Sequence, residues 1–140
     1  MTMLNQDLAE RMDDGMFLTL FVALLSGDGL VQIVNAGATP PLVWRHASST
    51  IERIDGNGPA LGMMEDFEYE LAPPVQLEKG DAIIAFTDGL VEARHESRPD
   101  RLFDEAGMRA VIAEWGPSGA SSQELTEQLV AQVLEFTGGY

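Results

Sequence analysis

Residues 80–93, Gly-Asp-Ala-Ile-Ile-Ala-Phe-Thr-Asp-Gly-Leu-Val-Glu-Ala, constrain the fold more than any other part of this 140-residue chain. Five apolar or small residues, 82–86, leave a Gly-Asp turn as a buried strand and end at Thr87-Asp88-Gly89. The strand therefore delivers one carboxylate, Asp88, to the mouth of a sheet, and Gly89 lets the chain bend sharply beyond it. A carboxylate at a strand end is a common way to hold a hard divalent cation. The same residue also reads as a turn former or as the N-cap of a short helix, and spacing alone leaves both readings open.

The rest of the chain supplies strands before this point and helices after it. Leu4, Leu8 and Met12 recur at every fourth position and predict an amphipathic helix ended by Asp13-Asp14-Gly15. Residues 16–25 read as a strand too continuously apolar to face water, which predicts a central strand packed on both faces. Ser26-Gly27-Asp28-Gly29 predicts a hairpin turn, with residues 30–35 returning. Residues 43–45 and 51–54 form a second, shorter hairpin by the same criteria, and the alternation in Phe67-Glu68-Tyr69-Glu70-Leu71 predicts a half-exposed strand. Beyond Asp88 the period changes. Met108, Val111, Ile112 and Trp115 share one helical face that Gly116-Pro117 ends. Ser121 and Glu124 form a capping-box signature ahead of a stripe made by Leu125, Leu129, Val130, Val133 and Phe136. Strands flanked by helices in this order predict an α+β layered sandwich in one domain, residues 1–140.

Composition narrows the functional classes. The net charge of −15 argues against nucleic acid and anionic membrane as partners, since both need basic patches. The absence of cysteine excludes disulfides and thiolate metal sites and suits a cytoplasmic location. No apolar run is long enough to span a bilayer. Walker loops, dinucleotide fingerprints, zinc spacings and nucleophile elbows are likewise missing from the sequence, and Asp55-Gly56-Asn57-Gly58 lacks the flanking acids of a calcium loop.

Several ordered motifs carry a resemblance. Thr87-Asp88-Gly89 resembles the second metal-binding motif of bacterial type-2C Ser/Thr phosphatases, in the branch of stage II sporulation protein E and the sigma-B regulator phosphatases. Leu4-Asn5, the strand Phe17-Leu18-Thr19-Leu20-Phe21, Asn35-Ala36-Gly37-Ala38-Thr39-Pro40-Pro41-Leu42 and Gly58-Pro59-Ala60-Leu61-Gly62 resemble that branch's landmarks in order and spacing. The resemblance implies part of a four-layer αββα sandwich of mainly antiparallel sheets. It also implies Mn²⁺ or Mg²⁺ as cofactor, with Asp88 as a metal ligand and Gly89 beside it through its backbone. In that family two ions bridge and activate a water that attacks phosphorus directly. The implied substrate is a phosphoserine or phosphothreonine protein of the anti-sigma factor antagonist type, in a partner-switching stress response. The family's opening aspartate and its closing Asp-Asp strand have no counterpart here, so residues 1–140 read as the C-terminal portion of the domain, inactive alone and prone to self-association.

Two departures stand out: Ala38 replaces a histidine, and Asp104 replaces a glycine after Phe103. The remaining candidates take structural roles. Asp81 sits at the far end of the strand from Asp88, out of reach of the same ion. Glu92 lies one helical turn beyond Asp88 and reads as solvent-facing, and His46 and His95 read as solvated loop histidines. Residues 92–103 are expected to form a substrate-side flap by analogy with the family. A non-catalytic interaction module that keeps the sandwich is the alternative reading; a metal buffer fits less well because the acids are dispersed.

Overall fold

A computed structural model describes residues 1–13, 15–56 and 58–139. The expected helix stop at Asp14 and the turn through Asn57 therefore lie, at those two positions, outside the described residues. The chain divides into two compact units, Met1–Pro40 with Ile54–Glu78, and Pro41–Arg53 with Lys79–Tyr140.

The first unit opens with helix α1 (Thr2–Arg11) and carries strands β1 (Leu20–Leu25), β2 (Leu30–Ala36) and β5 (Val75–Gln76). They form an antiparallel sheet in the order β1-β2-β5. The hairpin is in the expected place: Leu25 faces Val31 across a turn closed by the Ser26 N–H donating to the Leu30 carbonyl at 2.9 Å. β2 alternates as a half-buried strand should, with Val31 and Ile33 buried on one face. β1 is an edge strand, not the central strand that its composition predicts. It begins at Leu20, and its apolar residues are largely open to solvent, Leu24 at 62% and Leu25 at 68%. Apolar content on both faces signals that both faces get covered, but carries no information about which chain covers them.

A buried amide organises this unit. Asn5 is fully buried on α1; its Nδ2 donates to the Met64 and Glu65 carbonyls at 2.8 and 3.1 Å, and its Oδ1 accepts the Gly62 N–H at 2.9 Å. A second buried amide, Asn35, bonds both the N–H and the carbonyl of Ala38, closing the turn after β2. That turn then packs on the Gly58–Gly62 loop. The Gly37 N–H donates to the Gly58 carbonyl at 3.0 Å, and a Cβ on Gly37, whose φ is +69°, would come within 2.6 Å of the Ala60 nitrogen. Residues 67–71 form no strand. Tyr69 instead donates its hydroxyl to the Pro59 carbonyl at 2.7 Å and stacks edge-on against Phe67, so the aromatic-acid alternation marks a loop that packs its rings on the Gly58 turn.

The second unit pairs β3 (Leu42–Arg45) with β4 (Thr50–Arg53) and β6 (Ala82–Ile84), again antiparallel, in the order β4-β3-β6. The short helix α2 (Asp88–Val91), a hairpin of β7 (Arg94–His95) and β8 (Arg98–Leu102), and helices α3 (Asp104–Trp115) and α4 (Ser122–Thr137) complete it. Leu42, Trp44 and Ile84 from the sheet join Met108, Val111 and Ile112 of α3 and Leu125, Leu129 and Val133 of α4 in one core. The helical stripes are those predicted, except that Val130 remains 45% exposed. The capping box is formed: Ser121 Oγ accepts the Glu124 N–H at 3.2 Å while Glu124 accepts from the Ser121 N–H at 2.8 Å. Those bonds from Ser121 hold the Glu124 carboxyl below its ordinary pKa. The buried strand expected over residues 82–86 is shorter, ending its ladder at Ile84, and Ala85 is exposed.

In both units every strand pairing within a sheet is antiparallel among the described residues, with helices in each, so the α+β class expected from the sequence holds. No described helix is long and apolar enough to cross a membrane.

Two predictions follow from the first unit. Asn5→Ala strands the Gly62 N–H and two carbonyls, and should destabilise the chain by about 3 kcal/mol in urea unfolding. Asn5→Asp, which keeps the acceptor but turns a buried carboxylate toward two carbonyls, should cost at least as much. A loss below about 0.5 kcal/mol for the alanine variant would mean that the amide does not organise the loop. The open ladder and apolar side chains of β1 should make the chain self-associate, more strongly at higher salt as its like charges are screened. Light scattering that stays monomeric at high concentration and high salt would contradict this.

Candidate metal centre

Asp88 is held by a short mechanical chain that begins at the other end of β6. Gly80, at φ +93°, turns the backbone tightly over the His46 ring; a Cβ there would come within 2.8 Å of His46 Cγ. Asp81 follows with its side chain 4% exposed. One oxygen accepts Arg45 Nη1 at 3.0 Å and the other accepts the His46 N–H at 2.9 Å. The hydrogen bonds that Arg45 donates to Glu52 and to Asp81 raise its pKa above its already high value. Strand β6 is thereby pinned to β3 in the register Trp44↔Ala82, Val43↔Ile83, Leu42↔Ile84. Asp81 is structural, as its position predicts.

The chain leaves the sheet after Ile84, and after three further residues a short helix begins. Thr87, extended at φ −93° and ψ 163°, is the N-cap of α2 and makes no side-chain cap bond. Asp88 is the first helical residue, its carbonyl accepting the Glu92 N–H at 2.8 Å. Its side chain is exposed. Gly89 lies inside α2 with no left-handed φ, and a Cβ there would make only an ordinary 3.6 Å contact with Thr87 Oγ1. The sharp bend that a glycine was expected to provide is therefore not built at Gly89. Glu92 caps α2 and faces solvent.

The neighbouring candidates separate from Asp88 by role. His95 is half-buried on β7, not a solvated loop histidine; its ring stacks edge-on against Phe136 with centroids 4.9 Å apart, and its Nδ1 accepts the Ser97 N–H at 3.2 Å. His46 is exposed. The segment expected as a flap, residues 92–103, is the β7–β8 hairpin, and its edge packs on α4 through Phe136. Asp104, standing where the resembling family has glycine, keeps a glycine-like φ of +54°. Its carboxylate accepts the N–H groups of Ala106 and Gly107 at 2.7 and 3.2 Å, which caps α3 in return for the strained backbone.

The donor set decides what this chain can hold. Among the described residues no three histidine, aspartate or glutamate side chains gather as a metal site. Asp88 supplies one carboxylate, and a two-metal centre needs several oxygen ligands on fixed positions. The chain's own residues thus fit one edge of such a centre and not the whole.

Antiparallel sheets, long C-terminal helices and a Thr-Asp-Gly strand end define a domain of the type-2C phosphatase fold. The family model for stage II sporulation protein E matches residues 1–140, and the chain belongs to that family. It is 32% identical over 138 residues to the phosphoserine phosphatase RsbU of Bacillus subtilis (strain 168), an alignment covering 95% of this chain and 38% of that protein. Among solved structures, it superposes with a TM-score of 0.72 at 20% identity on the PP2C phosphatase domain and regulatory-domain fragment of the Bacillus subtilis cell-fate determinant SpoIIE, covering 96% of this chain and 38% of that one. The Mn-presoaked SpoIIE phosphatase domain matches with a TM-score of 0.65 at 20% identity, covering 99% of this chain and 57% of that one. The chain thus spans little more than a third of RsbU.

Stability separates the two aspartates of the motif. Asp81→Asn should cost about 2 kcal/mol, because it leaves a mostly buried guanidinium short of a partner. Asp88→Asn at an exposed helix start should change stability by less than about 0.5 kcal/mol. Equal losses in chemical denaturation would mean that Asp88 also holds the fold.

Proposed function

We propose that residues 1–140 are the C-terminal portion of a single metal-dependent protein phosphatase domain, and that Asp88 is one of its metal ligands, with the Gly89 backbone beside it. The observation that carries this reading is the exposed side chain of Asp88 at the start of α2, just beyond the registered strand β6, in a chain 32% identical to a phosphoserine phosphatase. The substrate is then a phosphoserine or phosphothreonine protein, of the anti-sigma factor antagonist type used in partner switching, in the cytoplasm. Mn²⁺ or Mg²⁺ would supply the Lewis acid and the activated water in the intact domain. This chain contributes the scaffold that orients one ligand, and the β7–β8 hairpin is the proposed substrate-side flap.

One observation favours the second reading, a non-catalytic interaction module: the described residues gather no complete donor set. The parent gene discriminates the two, because an enzyme requires further aspartates outside this stretch.

The isolated chain should not hydrolyse p-nitrophenyl phosphate or a phosphoserine peptide above background, since one ligand does not fix a reactive water. Mn²⁺-dependent, chelator-sensitive turnover by this chain alone would overturn the incomplete-site reading. In a full-length domain, Asp88→Asn should lower the rate by about a thousandfold or more, while Asp81→Asn stays near normal at a temperature where it remains folded. Normal turnover by Asp88→Asn would remove it from the metal site.

A further inference from the structure

A cleft of about 420 Å³ opens at the Gly80 end of β6, opposite the end that leads to Asp88. Its lining differs from the other hollows described on the molecule. Those carry Asp100 and Asp104, or Glu65, Asp66 and Glu68, or Glu135. This one has no acidic residue, and Lys79 is its one charged side chain. In a chain of net charge −15, an acid-free concavity with a lysine at its rim is where an anion meets least repulsion.

Beside the cleft lies a buried polar group with nothing to bond. Trp44 lines it, is only 2% exposed, and its Nε1 has no hydrogen-bond partner among the described residues. Buried donors are almost always paired, so an orphaned indole N–H beside a cleft calls for an acceptor. One part of the wall against the indole is bare backbone. Gly116 lies so close that a Cβ there would come within 2.5 Å of Trp44 Cε2, and Gly119, at φ +72°, has open space around it. A thin glycine wall is where the backbone can give to admit a flat group.

We propose that this cleft binds the carboxylate of a small planar organic acid. The carboxylate takes up the Trp44 indole N–H and the Lys79 ammonium, and the apolar body of the acid lies against Trp44 and Leu125. One neutral donor and one cation match the two oxygens of a carboxylate, whereas a phosphate dianion would leave oxygens without donors. The ligand acts on β6 from the end that Asp81 pins, which makes it an effector and not a substrate.

The test follows the indole N–H signals of the ¹⁵N-labelled chain during titration with benzoate, with chloride at matched ionic strength as the control. Trp44→Phe identifies the Trp44 signal by its disappearance. Benzoate should shift that signal downfield and saturate at about millimolar concentration, with chloride inert. Lys79→Gln, at an exposed position, should weaken binding about fivefold. Trp44→Phe should melt no more than a few degrees lower and lose saturable benzoate binding in calorimetry. An absence of saturation at tens of millimolar, an equal shift with chloride, unchanged affinity in Lys79→Gln, or retained binding in Trp44→Phe would each overturn the proposal.

Discussion

The carboxylate of Asp81 is the contact on which the second unit's geometry depends. It is nearly buried, and it accepts from the Arg45 guanidinium of β3 and from the backbone N–H of His46 just beyond it. A carboxylate placed there tolerates no slip of β6 along β3, because a shift by one residue would strand the charge in an apolar sheet and turn Ile84 out of the core. Fixing the start of a three-residue strand also fixes its end. The approach of the chain to Asp88 is thus set from the far side of the sheet, by an acid bonded to Arg45 and His46. Ion-pair energy is the lesser part of its role; registry is the greater.

The first unit achieves the same kind of registry with neutral amides. Asn5 and Asn35 each satisfy both a donor and an acceptor on loop backbone that has no ladder of its own. The motif glycines then follow from contact distance. A side chain on Gly37 would collide with the backbone of Ala60, and one on Gly58 with the rings of Tyr69 and Phe67. Most of what makes the sequence recognisable as a member of its family is therefore loop architecture. Replacing the family's histidine by Ala38 leaves that architecture intact, because Asn35 grips only the backbone at position 38.

What could be read from the sequence divides along physical lines. Periodicity and capping located α1, α3, α4 and both hairpins, since these depend on neighbours within a few residues. Burial of β1 was misjudged because its apolar faces describe the chain's needs and not its partners. Residues 67–71 alternate like a strand, yet their rings are claimed by a turn about ten residues earlier in the chain. His95 sits among charges in sequence and against Phe136 in space, forty-one residues on, which local polarity cannot reveal. The buried role of Asn5 was legible only as half of a motif, because its three backbone partners lie more than fifty residues away. Asp88 was singled out by its motif; it is the first residue of α2, and the N-cap position that was one of its readings belongs to Thr87 instead.

Acidity and metal binding are separate matters in this chain. A single exposed carboxylate attracts a divalent cation in water with about 2 kcal/mol at contact-scale distances, roughly half of what millimolar binding requires. The net charge of −15 adds a diffuse field that concentrates cations over the whole surface without choosing a position for them. Localisation comes only where several oxygens are held at fixed separations, and the described residues bring together no such group. What the second unit provides here is mechanical. Strand β6 cannot slip along β3, and it leads through residues 85–87 to the exposed side chain of Asp88 at the start of α2.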